Sequence, residues 1–391
     1  MYIDKSILEN LNQEWIIPEI NADLCVHSQN IRSDCQLCVD SCPSNAWILD
    51  QNSLGMDVNA CDGCGLCIPA CPSGAIHSEF PWITRQLGAR MVALFACEHN
   101  SIPKSSDTLA CIHSLGIRQI LQIYNSGIEH LLLSIGNCQS CPHYHSSDNF
   151  FSRLEEVNTL LMERNKNQLK IMQRSAKVWL KLLKTDPVIS RGTQLSRRDF
   201  FRGGGRQLRE QLLILDPLNG SEFRSIPPGQ LLPESTRENL HWPWVPRISK
   251  QKCNGCDACI RLCPVGALQY SRQQPDPDHL SHEAINPSND FFSEPHFDKQ
   301  LNQNTDNGLY VIKPENCTGC GICSSACETA AISIESYAEF NSKENIVLFE
   351  KQCTVCGNNF HTPQNNLQAD NNLCPVCQAH NHSNNLYQVL D

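Results

Sequence analysis

"CDGCGLCIPACP", residues 61–72, sets four cysteines into eleven positions and closes on a proline. The spacing is C-x2-C-x2-C-x3-C, and it returns at Cys253, Cys256, Cys259 and Cys263 with Pro264, and again at Cys317, Cys320, Cys323 and Cys327. A stretched copy precedes them. Nine residues separate Cys25 from Cys35, after which Cys35, Cys38, Cys42 and Pro43 resume the rule. Repetition of one short unit is therefore the first fact about how this chain is organised.

Three thiolates at i, i+3 and i+6 on a tight loop can each take one iron corner of a cubane, while the fourth cysteine points to the neighbouring cluster. That rule predicts one [4Fe-4S] set at Cys25, Cys35, Cys38 and Cys71, and a second at Cys61, Cys64, Cys67 and Cys42. In the other half it predicts a third at Cys253, Cys256, Cys259 and Cys327, and a fourth at Cys317, Cys320, Cys323 and Cys263. Zinc is the weaker alternative, because zinc modules rarely draw four ligands from one eleven-residue stretch. The segments "SNAWILD", "SGAIHSE", "VGALQYS" and "TAAISIES" each follow a fourth cysteine and read as short closing strands.

These units resemble the bacterial dicluster ferredoxin family over residues 20–80 and 245–336, which implies two modules that each hold two [4Fe-4S] clusters. Two departures stand out. Glu328 takes the place of the family's proline, and the first copy lacks the glycines that separate cysteines in the others.

The 391 residues carry 24 cysteines and a net charge of −10. Such a length calls for several domains. The opening "MYIDKSILENLNQEWIIPEI" has no basic start or apolar block, so the thiols are expected in a reducing cytoplasm, bound to metal rather than stapled. No apolar run is long enough for a transmembrane segment, and "MVALFAC" and "HLLLSIG" suit buried strands. The acidic balance argues against nucleic acid as a partner. One segment is the exception: residues 164–209 hold thirteen Lys/Arg against Asp186 and Asp199.

Between the ferredoxin-like units, residues 84–150 read as strand, loop, helix and strand, with Cys97, Cys111, Cys138 and Cys141 at strand ends. Loops converge at the carboxyl edge of an α/β sheet, so a site there is well placed. The ending "GNCQSCPHY" resembles the small iron-sulfur subunit of methyl-viologen-reducing hydrogenases, which implies a [2Fe-2S] cluster on these four thiols. The alternative is two buried thiols and an exposed C-x2-C pair. His99, His113, His143 and His145 lie nearby and read more readily as exposed loop residues than as ligands.

From Phe151, apolar residues recur at helical spacing through Leu154, Val157, Leu161, Leu169, Met172, Ala176, Trp179 and Leu183, with a break at Asn165. This predicts a long, basic amphipathic helix and linker over residues 151–210, the apolar stripe packed on its own domain. Downstream, "SRRDFFRGGGRQL" lacks the apolar region of an export signal. Together with the cysteine units that follow, it resembles the ferredoxin-type accessory protein of periplasmic nitrate reductase, making Arg197 and Arg198 the mark of a fusion joint. Polar, proline-rich links at residues 215–239 and 273–290 fit such a division.

At the carboxyl end Cys353, Cys356, Cys374 and Cys377 form C-x2-C-x17-C-x2-C, the spacing of a zinc ribbon over residues 345–391. Rubredoxin-type iron or another cluster are the alternatives. The expected architecture is α+β: two bacterial-ferredoxin-like dicluster modules, a small α/β domain between them, and a C-terminal zinc ribbon. No glycine-rich nucleotide fingerprint after a strand and no G-x-S-x-G nucleophile motif occurs, so a catalytic site of its own is not expected. The expected role is electron transfer between redox partner proteins. The alternative is an accessory or maturation factor for a molybdenum oxidoreductase such as formate dehydrogenase or nitrate reductase, with that molybdoenzyme as client.

Overall fold

The computed structural model describes residues 17–51, 53–78, 82–100, 108–143, 149–185, 188–191, 226–237, 239–272, 308–363 and 372–381. The Arg197–Arg198 stretch, residues 215–225 and 238 of the first polar link and the whole of the second lie outside the described residues, as does His145.

The first cysteine-rich module is framed by two small antiparallel pairs. Strand β1 (Glu19–Ile20) pairs with β4 (Ile76–His77), and β2 (Trp47–Asp50) forms a hairpin with β3 (Ser53–Met56). Single helical turns lie at Val26–Gln29, directly after Cys25, and at Leu37–Asp40 and Cys67–Ala70, which carry Cys38 and Cys67. Its core is Cys38, Trp47, Cys67, Ile68 and Ile76. Two of those five are cysteines, so little apolar area remains, and a module this small needs another source of stability.

The middle of the chain builds a mixed sheet in the order β10, β5, β6, β8, β9. Its strands are β5 (Ile83–Leu87), β6 (Arg90–Cys97), β8 (His130–Ser134), β9 (Lys170–Gln173) and β10 (Val188–Arg191), with the short β7 (Thr108–Leu109) added to the end of β6. Strands β6, β8 and β9 run parallel; β5 and β10 are antiparallel to their neighbours. Alternation places Ala93 and Phe95 on one face and Val92, Leu94 and Ala96 on the other, and both faces are covered.

Helices α1 (Ile117–Asn125) and α2 (Phe150–Glu163) bury Ile120, Leu121, Leu154, Val157 and Leu161 against the first face. Helix α3 (Ala176–Thr185) seals the second with Trp179. Helix α2 starts where the Asn149 side chain accepts from the Phe151 and Ser152 amides, at 2.9 and 3.2 Å. It stops before Asn165, which takes the left-handed conformation at φ 55°.

The long helix expected from Phe151 to Leu183, interrupted at Asn165, is therefore corrected. The stripe belongs to two helices separated by β9, which pairs with β8 and makes residues 150–185 part of the middle sheet domain. A period near 3.6 on both sides of a four-residue strand hides that strand. The stripe does pack on its own domain: Trp179 is fully buried, while Lys177, Lys181 and Lys184 are exposed. Trp179→Ala should lower the unfolding free energy of this domain by about 3–5 kcal/mol, read from denaturant titration with the domain's hydrogen exchange as the probe. An outward-reaching arm would lose almost nothing.

The second cysteine-rich module is held by the nine-residue strands β11 (Leu240–Ile248) and β14 (Ile332–Phe340), antiparallel along nearly their whole length. Strands β12 (Leu268–Arg272) and β13 (Gly308–Ile312) pair beside them. Strand β15 (Ile346–Gln352) then pairs with β13 on one side and with β16 (Asn359–Pro363) on the other. The terminal hairpin thus shares a sheet with the second module, and helix α4 (Pro375–Asn381) follows it.

The second module also sits on the middle domain. Leu231, Trp242 and Tyr337 pack against its core, the Arg164 guanidinium lies 4.8 Å from the centre of the Trp242 ring, and Glu163 meets His241 at 2.7 Å. The α+β class is observed.

Candidate metal centres

Each sequence-predicted set of four cysteines is brought together in space. Burial pushes Cys38 up to about 12, and the neighbouring Cys71, Cys35 and Cys25 thiols add to the rise. Cys67 goes up to about 12 through burial and then Cys61 and Cys42. In the second module Cys259 rises to about 12 through burial, Cys253, Cys256 and Cys327, and Cys317 to about 12 through burial, Cys320 and Cys263. In every set the fourth thiol comes from the other unit of the module.

The sulfurs are also solvated by the chain. The amides of Ala46, Ala267 and Ala331, each four residues past a fourth cysteine, donate to Cys42, Cys263 and Cys327 at 3.3, 3.1 and 3.2 Å. Such donors suit thiolate sulfur and favour its charged, metal-bound form.

Backbone crowding leaves no alternative to glycine at two loop positions. Gly319, at φ 75°, lies so close to Trp244 that a Cβ would stand 2.5 Å from the indole. Gly255, at φ 74°, faces the carbonyl of His361 in β16, so the third set's loop rests on the terminal hairpin.

The four middle cysteines line one cavity with His99 and His143. They sit where the sheet's carboxyl edge directs them: Cys97 ends β6, Cys111 follows β7, and Cys138 and Cys141 follow β8. Cys111 is pushed up to about 12 by burial, then by Cys97, Cys141 and Cys138. Helix α2 fixes the loop after Cys111, because the Arg153 guanidinium donates to the carbonyls of His113 and Leu115 at 2.9 and 2.8 Å.

Two nearby histidines are not the exposed loop residues expected. His113 is buried, and its Nδ1 accepts from the Phe150 amide at 3.1 Å. His143 is buried too, its Nε2 2.9 Å from Asp62 in the second set's loop. The tertiary fold sets both, and no local signal announces them. His99, Cys141 and His143 bring their ligating atoms within 4.8 Å of one another, so a single ion could also be held there.

Sequence does not show how the sets are ordered. Cys64 and Leu66 of the second set's loop form one buried cluster with Cys111 of the middle set. The first and second sets adjoin inside their module, where Cys38 contributes to the rise of Cys67. Cys320 of the fourth set lines the same cavity as Cys25, Cys35, Cys38 and Cys71. Cys259 of the third set adds to the rise of Cys323 in the fourth. The five sets therefore follow one another as middle, second, first, fourth and third, and the last ends on the exposed Cys256.

Cys353, Cys356, Cys374 and Cys377 are gathered differently. Their sulfurs all lie within 4.8 Å of one another, and Cys356 and Cys374 stand 3.8 Å apart. A tetrahedron with bonds of about 2.3 Å has edges of about 3.8 Å, so this set suits one ion. Among the described residues no ferredoxin-type set is drawn in so tightly, as a multinuclear group requires. Amides of Cys356 and Cys374 donate to Cys353 and lower its thiol to about 6. His361 points elsewhere, its ring 4.8 Å from that of Tyr270.

The raised thiols set a pH dependence for the metal-free protein. Cys38, Cys67, Cys111, Cys259 and Cys317 hold their protons more tightly when folded than at their ordinary 9.0. Their contribution to stability is complete below about pH 9 and is lost as pH climbs toward 12. Denaturant midpoints of chelator-stripped protein should fall across that window, whereas metal-loaded protein, whose thiols are already deprotonated, should change far less.

Two stretches match families of 4Fe-4S dicluster domains, residues 33–76 and residues 245–328. The first match begins after Cys25, inside the stretched copy. The chain is also similar to the pyruvate synthase subunit PorD of Methanothermobacter marburgensis, at 28% identity over 106 residues, which cover 26% of this chain and 84% of that protein. These findings support a dicluster iron-sulfur protein with [4Fe-4S] clusters and a part in electron transfer. No helix among the described residues is long and apolar enough to cross a membrane.

Proposed function

We propose that this chain is a cytoplasmic electron-transfer protein in which four [4Fe-4S] clusters and a fifth, [2Fe-2S], centre stand in one row. The carrying observation is the continuous order of the five cysteine sets, each adjoining the next. When bound, iron-sulfur clusters supply reversible one-electron chemistry over about −700 to +450 mV.

The chain's own residues do the rest. The crossed cysteines hold each pair of sets side by side, the amides after Cys42, Cys263 and Cys327 donate to their sulfurs and stabilise the thiolate, and buried Ile68, Leu66 and Ile322 keep water from the thiols. The middle domain runs from about residue 83 to 191 on this reading, and the terminal four thiols hold structural zinc that braces β15 and β16. Thiols in this number suit a reducing compartment. The partner is another oxidoreductase, and the similarity to a subunit of pyruvate synthase favours a carrier or electron-transfer subunit over a maturation factor.

Stepwise reduction of anaerobically purified protein, followed by EPR, tests the row. Paramagnetic signals should grow in and then broaden as neighbouring centres fill. Sharp, mutually independent signals at full reduction would contradict it.

A further inference from the structure

Two irregularities distinguish the cysteine units from one another. The first has nine residues between its leading cysteines where the others have two, and the fourth has Glu328 where the others have Pro43, Pro72 and Pro264. The fold brings the two irregularities together. Arg32, in the inserted stretch, meets Glu328 at 2.8 Å. Asn30 of the same stretch donates to the Ser325 hydroxyl at 3.0 Å. Its amide oxygen accepts from the Arg32 backbone at 3.1 Å, and its carbonyl accepts from Ser33 at 2.8 Å, so the loop presents both side chains in fixed positions. Beside this contact, Cys320 closes the cavity of the first set.

We propose that the inserted loop and Glu328 are the two halves of a clamp that docks the first cysteine module onto the second, with the Cys25 set against the Cys320 set. Its occupant is the chain's own second module. A proline after Cys327 would leave Arg32 without its carboxylate, and a two-residue spacing after Cys25 would leave no loop to reach it. Both Arg32 and Glu328 are more than half exposed, so salt screens the ion pair, while the Asn30–Ser325 bond is indifferent to it. The clamp's meaning for electron transfer rests on the proposed clusters; the contact itself does not.

The test uses the full chain, Arg32→Glu, and the charge swap Arg32→Glu/Glu328→Arg, with hydrogen exchange read at amides 30–35 and 322–328. At low salt, exchange in both segments should quicken about two- to fivefold in the single variant and return in the swap. Unchanged exchange at 322–328 in the single variant would overturn the clamp. EPR of the fully reduced proteins reads the second arm: broadening between modules should weaken in the single variant and recover in the swap. Equal broadening in all three would overturn the clamp's part in setting the two sets side by side. Missing iron and sulfide would count against the clusters alone, and the exchange measurement would still decide the clamp.

Discussion

Cys263→Ser is expected to abolish the centre at Cys317, Cys320 and Cys323 and to spare the one at Cys253, Cys256, Cys259 and Cys327. By position Cys263 belongs to the third unit, but in the fold it contributes to the rise of Cys317, Cys320 and Cys323. A hydroxyl is a poor ligand for cluster iron, and the site is closed by Ile322 and Thr318, both nearly inaccessible, which leave little room for water to substitute. About four of the roughly sixteen cubane irons should be lost with one reducible signal. Cys71→Ser should do the same to the first set, since burial and then Cys71 raise Cys38. Loss of the Cys253 signal in the Cys263 variant would reverse the crossover.

The second large effect is expected at the carboxyl end. Structural zinc in small modules contributes about 10–16 kcal/mol of apparent binding free energy at neutral pH, more than a hairpin of this size can replace. Cys374→Ser removes a buried thiol of the proposed zinc set, at a residue whose amide also donates to Cys353 at 3.3 Å. Zinc per chain should fall from about one to none, with β15 and β16 losing their protection from hydrogen exchange. The loss should spread into β13, because Tyr310 pairs with Ile346 and Gly308 with Leu348. It should also reach the third set, whose Gly255 rests on the His361 carbonyl. Intact protection of β15 in the zinc-free variant would show that the hairpin stands without metal.

The cysteine grouping is readable from spacing because a cluster demands particular thiols at particular intervals, and those intervals survive any fold that delivers them. The same demand assigns Cys42 and Cys71 to the opposite set, and the fold places Cys42 beside Cys67 and Cys71 beside Cys38. The middle strands were readable as well, since "MVALFAC" and "HLLLSIG" are apolar on both faces, as strands β6 and β8 buried between helices must be.

What escaped was tertiary. Residues 170–173 form a strand because β8 offers an edge to Lys170–Gln173, while the local sequence carries a helical period from Leu154 to Trp179. His143 is fixed by Asp62, 81 positions away, and Arg32 by Glu328, 296 positions away. Glu328 was visible only as a departure from a pattern. Its partner explains why a carboxylate stands there.

Iron, acid-labile sulfide and zinc counted per chain in anaerobically purified protein test the central claim, that these thiols hold iron-sulfur clusters in two crossed pairs and a fifth centre. The account predicts about eighteen irons, a matching amount of sulfide and about one zinc. Protein that carries zinc at every cysteine set, or iron without sulfide, would contradict it.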